Sequence, residues 1–380
     1  MTSEERRERR YHRRKQKRIQ KRYESYPGYD DYDAVFSFDN LWKSYRNCRK
    51  NVGWKGSVQR YKFAAPIRVM QTHKQLMAGK YKCVEPHEWD TWERGKQRHI
   101  KSVPIGERVM QRCLADNALI PVLAPTFIYD NGACMRYKGY TFAMNRMVCH
   151  LQRHYRKHGN EGYILLYDFS KFYENISHDL VRKILRKYFT DPRIMKQVDD
   201  VLATFGENGL ALGSQISMIL ALASGNELDH AAKQDLGLKC YGRYNDDGYA
   251  IHVSKEYLQM CLEKLKVICK RLGIKLNEKK TQIVKLSHGF RFLKSRIYLT
   301  ETGKIVRKMP KKSIVRERQK IKKLHKKLQE GLIDMEHINM QYQSWRSYSL
   351  NFDAYRTVTS MDKLFYQTYI SKEALWAVSS

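Results

Sequence analysis

The chain has 380 residues, 42% of them hydrophobic, which is enough for a large buried core and for two or three subdomains. It carries 72 Lys and Arg against 39 Asp and Glu, a formal net charge of +33. That excess argues against an ordinary enzyme of small molecules and points to a polyanion, foremost nucleic acid, with an anionic membrane surface as the competing reading. No apolar run approaches the roughly 20 residues of a spanning helix, and the N-terminus has no apolar signal core, so no membrane partner is expected. The 8 Cys are scattered, and none forms a CxxC pair. They read as reduced thiols of a cytosolic protein rather than as a zinc ribbon.

Residues 1–25 form a basic run, Arg6-Arg7-Glu8-Arg9-Arg10 and then Arg13-Arg14-Lys15-Gln16-Lys17-Arg18. With so little to bury, it is expected to be a disordered arm or a solvated helix. Arg9, Arg10, Arg13 and Arg14 are candidates for gripping RNA or DNA; a solubilising tail is the alternative. A linker rich in Tyr, Asp and Gly follows. Phe38 to Tyr45 then opens a helix, with Asp39 as candidate N-cap. A second helix is expected from about Ala65 to Met77, with Pro66 at its start, where a missing N–H costs little. The stretch from Glu107 to Leu119 carries Val109, Met110, Cys113, Leu114 and Ala118 on a core-facing helical stripe. Arg98 and Arg108 lie off that face, as phosphate clamps or as solvated charges.

Gly162-Tyr163-Ile164-Leu165-Leu166-Tyr167-Asp168 is a near-continuous apolar run ending in an acid. Such a run suits a strand buried on both faces, and an acid at its end is costly unless paired or bound to a metal. Ser177 can cap the next helix, and another is expected over about Asp191 to Phe205. Gly209-Leu210-Ala211-Leu212-Gly213-Ser214 reads as a loop leading into a buried helix from Ile216 to Leu228.

Tyr244-Asn245-Asp246-Asp247 lies between two strand-like runs, Lys239 to Tyr244 and Gly248 to Val253. Asn, Asp and Gly tolerate a tight turn, so this stretch predicts a hairpin with two carboxylates at its tip. Adjacent like charges repel, and hard divalent cations relieve the repulsion. Taken alone, the stretch also fits an ordinary solvated turn. An amphipathic helix from Tyr257 to Leu272 ends at Gly273. Ile283-Val284 reads as a short strand, and Phe290 to Leu299 as a second hairpin. From Lys308 to Ser380 the chain is basic and helical. Its Tyr342, Trp345, Tyr348, Phe352 and Tyr355 suit a surface that grips a strand or the core of a small bundle.

In this order the motifs resemble those of reverse transcriptases. Lys96 to Ile100 with Glu107-Arg108-Val109 looks like the fingers motif, and Asp168 to Tyr173 like the first catalytic motif. Gly209 to Met218, running on to Asn226-Glu227-Leu228-Asp229, looks like the template- and nucleotide-positioning motif. Tyr244 to Asp247 resembles the second catalytic motif. Asn277 with Lys280-Thr281 resembles the motif after the hairpin, and Gly289 to Leu293 the primer grip. The resemblance covers about residues 36 to 300. It implies an α+β right-hand polymerase: a basic arm over 1–25, N-terminal helices and fingers over 26–160, a palm of antiparallel sheet and helices over 161–300, and a helical thumb over 301–380.

The wording of the motifs is similar to that of prokaryotic enzymes from diversity-generating retroelements, group II introns and anti-phage defence. Leu212 stands where typical enzymes carry Gln, as in the error-prone diversity-generating branch. Met218 matches neither the usual Pro nor that branch's Gln, and Lys294 stands where Gly is usual.

The resemblance also implies a chemistry. An RNA-directed DNA polymerase would extend a DNA or RNA primer with dNTPs on an RNA template. Two Mg²⁺ ions, with Mn²⁺ as a substitute, would be held by Asp168, Asp246, Asp247 and the carbonyl of Phe169. Arg98, Tyr173, Leu212, Gly213 and Lys280 would line the nucleotide, with Tyr173 excluding a 2′-hydroxyl. Arg108 and Phe292 would touch nucleic acid. An accessory protein or a second copy of the chain completes the expected partners, and the enzyme is expected in the cytoplasm, prokaryotic or phage-encoded. The alternatives are template-independent synthesis in a defence system and a non-catalytic RNA-binding protein on a polymerase scaffold.

Overall fold

A computed structural model describes residues 28–93 and 95–369, and within the first 27 residues it describes 5, 6, 9, 10, 13, 14, 16, 17, 20, 21 and 24. The side chains of Glu93, Lys96 and Arg98 lie outside the described set. Helices and antiparallel strands alternate along the chain, as an α+β right-hand polymerase requires. Among the described residues, the α-helices of five residues or more are α1 Phe38–Cys48, α2 Gly56–Phe63, α3 Ala65–Met77, α4 Ile105–Leu114, α5 Tyr140–His158, α6 His178–Leu185, α7 Pro192–Ala203, α8 Gln215–Ser224, α9 Asn226–His230, α10 Lys255–Leu272, α11 Lys311–Gln329, α12 Met335–Ser349 and α13 Tyr355–Tyr369. The strands are β1 His87–Glu93, β2 Lys96–Ser102, β3 Tyr163–Asp168, β4 Cys240–Tyr244, β5 Asp247–His252, β6 Gln282–Lys285, β7 Phe290–Phe292, β8 Ser295–Leu299 and β9 Ile305–Lys308. They form three sheets, ordered β1-β2, β4-β5-β3-β6 and β7-β8-β9.

Two compact units share the chain. The first takes residues 1–143, 167–248 and 261–279; the second takes 144–166, 249–260 and 280–380. In the first unit α1 packs on α3 and α4. The N-cap of α1 is Ser37, not Asp39, which lies in the first turn, where a carboxylate favours the helix dipole. Pro66 opens α3 as expected. The stretch through Leu119 leaves α-helix at Leu114 for one π-helical turn, Ala115–Leu119. Ser177 accepts from the Leu180 amide at 3.1 Å, and Asp191 from the Arg193 amide at 2.8 Å, so both helices start on a side-chain cap.

Two elements of this unit depart from the sequence reading. The apolar helix expected to continue to Leu228 breaks at Gly225 into α8 and α9, where the guanidinium of Arg243 passes. A Cβ on Gly225 would meet Arg243 Cζ at 2.8 Å. The β1-β2 hairpin carries polar residues on both faces, so no apolar alternation announces it.

In the second unit β3 pairs antiparallel with β6, from Tyr163↔Lys285 to Leu166↔Gln282. The β7-β8 hairpin turns through Leu293 and Lys294, at φ +44° and +67°, so the turn takes a left-handed conformation without glycine. β9 extends it to three strands. Helices α11 to α13 enclose Met309, Ile321, Ile338, Tyr342, Trp345, Phe352, Met361 and Phe365. Tyr342 stacks on Phe365 at 4.2 Å, so Tyr342, Trp345 and Phe352 are core, whereas Tyr355 is exposed. Phe292, expected at nucleic acid, is buried with its ring edge-on to Tyr249 at 5.1 Å; it packs the hairpin and does not face solvent. Among the described residues no helix is long and apolar enough to cross a membrane.

Candidate active site

Ile164, Leu165 and Leu166 are buried, and they draw β3 inward so that its last residue, Asp168, is buried as well. A carboxylate there needs polar partners. Asn277 supplies one to the carboxylate and a second bond to the backbone of the same residue. Its amide donates to the Asp168 carbonyl at 2.7 Å, and its Nδ2 donates to Asp168 Oδ2 at 3.3 Å. Phe169 continues the strand by a bridge to Leu276.

The hairpin of β4 and β5 turns at Asn245, which takes φ +57°. Asn is among the few non-glycine residues that adopt this conformation readily. The Phe169 amide donates to the Asp246 carbonyl at 3.1 Å. That bond joins the hairpin tip to the end of the strand carrying Asp168. Asp246 and Asp247 are half-buried there. Gly248 is required behind them, because a Cβ would collide with the Tyr167 ring. Asp168, Phe169, Asp246 and Asp247 are thus brought together, all in the first unit.

Tyr173 lies in a single helical turn after Asp168, and its hydroxyl donates to Asn245 Oδ1 at 3.3 Å. Burial pushes this phenol up to about 12, so it stays neutral. Its carbonyl accepts from the Leu210 amide at 2.8 Å, which fastens the 209–214 loop beside it. Leu212 is half-buried in that loop. Gly213 is exposed at φ +103°, a conformation that glycine alone adopts without strain. Ser214 donates to Gln111 Oε1 at 3.0 Å, and Gln111 Nε2 donates to Glu107 Oε1 at 3.0 Å. Glu107 also accepts from the Tyr81 hydroxyl at 2.7 Å. Burial raises its carboxyl, and these hydrogen bonds oppose the rise.

The other expected residues stand elsewhere. Arg98 lies on β2 opposite Thr91, and its side chain is outside the described set. Arg108 donates from Nη2 to Ser102 Oγ at 3.1 Å, bracing the turn between β2 and α4. Lys280 is exposed before β6, and Phe292 is buried, both in the second unit. Arg9, Arg10, Arg13 and Arg14 are helical and exposed, which fits a solvated helix.

Arg243 and Tyr241, which the sequence reading gave no role, form a buried network with Asp229, which it placed only as the end of a motif. Asp229 Oδ1 accepts from Arg243 Nε at 2.8 Å and Oδ2 from Nη2 at 2.7 Å; both side chains are 0% exposed. A single charged residue two places before a turn in so basic a chain carries no signal of its own. The pairing would be legible only by reading Arg243 together with the acid 14 residues upstream.

The donors at the tip are oxygens alone, the chemistry that hard divalent ions prefer. Among the described residues, no group of three or more His, Cys, Asp or Glu is placed to hold a metal ion.

Solved structures of similar form include telomerase from Candida albicans with a TWJ fragment of telomeric RNA, at TM-score 0.42 and 11% identity over 60% of this chain and 46% of that one. Apo telomerase from Candida tropicalis, truncated from its C-terminal domain, matches at TM-score 0.42 and 11% identity over 64% and 60%. A second apo structure from Candida tropicalis matches at 0.41 and 11% over 60% and 49%. This chain spans about half the length of those proteins. No curated protein matches it. The family described as reverse transcriptase (RNA-dependent DNA polymerase) matches residues 90–297, which hold β2, the three acids and the β4-β5 hairpin. With more than half of its length so matched, the chain belongs to the reverse transcriptase family.

Proposed function

We propose that the chain is an RNA-directed DNA polymerase that extends the 3′-hydroxyl of a DNA or RNA primer with dNTPs on an RNA template. The observation that carries this reading is the hydrogen bond from the Phe169 amide to the Asp246 carbonyl, which holds the acid-bearing turn against the end of the Asp168 strand. Asp168, Asp246 and Asp247 would hold two divalent ions, Mg²⁺ with Mn²⁺ as a substitute, and these would neutralise charge on the attacking and leaving oxygens. The protein's own contribution is position. Asn277 keeps the Asp168 carboxylate oriented, and Gly213 lets the backbone come close to the base pair being formed. Tyr173 lies beside the turn, where its bulk would exclude a ribose 2′-hydroxyl. Arg98 and Lys280 are read as partners of the triphosphate. The exposed arginines of the N-terminal arm add phosphate contacts whose strength falls with salt.

The motif wording supports a prokaryotic or phage-encoded enzyme acting in the cytoplasm. Leu212 favours the error-prone, diversity-generating branch over a defence system. The test is primer extension on a defined RNA with dNTPs and Mg²⁺, followed by sequencing of the product. A product complementary to the template is expected. Non-templated addition would favour the defence reading, and RNA binding without incorporation would favour a non-catalytic role.

A further inference from the structure

Arg243 makes four side-chain hydrogen bonds, all of them buried or nearly so. Two go to Asp229. Its Nη2 also donates to the Leu222 carbonyl at 3.1 Å, and its Nη1 to the Asn245 carbonyl at 2.8 Å. Asn245 is the residue immediately before Asp246. On the other side of Asp229, the Tyr241 hydroxyl donates to Oδ1 at 2.7 Å, and Tyr167 lies hydroxyl to hydroxyl with Tyr241 at 2.6 Å. Tyr167 is the residue immediately before Asp168. One buried carboxylate therefore connects the residue before each of the two principal acids.

A buried ion pair is a poor source of net stability, because desolvation offsets its attraction. Its strength is geometric: the planar guanidinium fork fixes several acceptors at once. Here the fourth acceptor is the backbone of the catalytic turn. Resting on the polymerase reading above, we propose that Asp229 and Arg243 are positioning residues that set the spacing between Asp168 and Asp246. Neither reaches the reacting atoms. They act through Tyr241 and Tyr167 on one side and through the Asn245 carbonyl on the other. Gly225 belongs to the same device, since its missing side chain leaves room for the guanidinium.

The experiment uses the full chain and two variants that reach Arg243 by different routes. Arg243→Lys keeps a cation near Asp229 but cannot reach Asp229, Leu222 and Asn245 together. Gly225→Ala keeps the pair and pushes a methyl into the guanidinium. For each, kcat and KM for dNTP, the thermal unfolding midpoint and amide exchange across 244–248 are measured. Both variants are expected to lower kcat about 10- to 100-fold, the scale of a small misplacement of catalytic groups. KM for dNTP should stay within about twofold, since ground-state binding is untouched. Exchange at the turn should rise while that of Ile164 to Leu166 does not.

A fall in activity that only follows the folded fraction would overturn the proposal, as would a wild-type kcat with unchanged exchange. If Arg243→Lys does not fold, Gly225→Ala decides. A wild-type chain that incorporates no nucleotide would defeat the polymerase reading instead. Exchange at the turn would then still report whether Arg243 holds it.

Discussion

Two hairpins, β4-β5 and β1-β2, are held in opposite ways. The β4-β5 hairpin stands on an ion pair with 0% exposure on both sides and on a backbone bond from Phe169. The β1-β2 hairpin is laced by surface charges. His99 lies between Asp90 at 3.0 Å and Glu88 at 2.9 Å, and Lys101 reaches Glu88 at 2.8 Å. Salt screens exposed pairs of this kind, and each contributes little to stability. On the proposed reading, acids that share ions would need fixed spacing, which the buried fork would supply, whereas a hairpin that approaches nucleotides would need reach more than rigidity.

The largest effect should follow from changing the tip itself. Asp246→Asn keeps the shape of the side chain and removes its charge. Primer extension should fall at least about 10³-fold with folding unchanged, in line with losing charge stabilisation in a transition state. Activity near wild type would break the comparison at its first half.

Next comes the anchor. Asp229→Ala leaves a guanidinium buried without its acid. Burial disfavours that cation, and the Asp229 carboxylate more than outweighs it to hold the Arg243 charge well above its usual value. Losing one partner of such a pair costs about 3–5 kcal/mol, to be read as a lower urea midpoint of unfolding. A midpoint like that of the wild type would mean that the anchor is not what holds the β4-β5 hairpin.

Glu107 is a buried acid held by the neutral donors Tyr81 and Gln111 rather than by a cation such as the one paired with Asp229, among the described residues, and it sharpens the contrast. Burial raises its folded value above the ordinary 4.5. The native state then binds more protons than the unfolded chain between 4.5 and that raised value. Stability should therefore fall as pH rises through this window and level off above it. Glu107→Gln should remove that slope, measured by unfolding at a series of pH values. An unchanged slope would assign the pH dependence to another group.

The smallest effect belongs to the exposed hairpin. Hydrogen bonds to Asp90 and then Glu88 raise the His99 imidazole above 6.5. This contribution is complete below 6.5 and is lost as pH rises through the raised folded value. Amide protection in β1 and β2 should weaken over that range. His99→Ala should abolish the dependence and leave the unfolding midpoint of the chain unchanged within error. A clear drop in the midpoint would show that the β1-β2 hairpin is anchored as firmly as the β4-β5 hairpin.

Much of this site was legible in the chain itself. A buried strand that ends in Asp168 and a turn-forming Asn-Asp-Asp-Gly are local patterns, and local patterns survive without knowledge of partners. The helix starts at Ser177 and Asp191 were readable for the same reason, since a cap is satisfied within three residues. The β1-β2 hairpin was not readable, because its two faces are both polar and nothing alternates. Phe292 was expected at nucleic acid because Gly289 to Leu293 resembles a primer grip, and a motif does not say whether that ring faces solvent or lies edge-on to Tyr249 in the core.

Charge, segment order and the identity of the three acids were determined by the sequence alone, because each is a property of composition or of neighbours a few residues apart. What the tertiary structure decided is which buried groups bond to the residues just before those acids. Arg243 meets Asp229 across 14 residues and Tyr167 meets Tyr241 across 74. A charge pair inside a core forms only where folding removes both groups from water at the same place. No residue pattern states that place in advance.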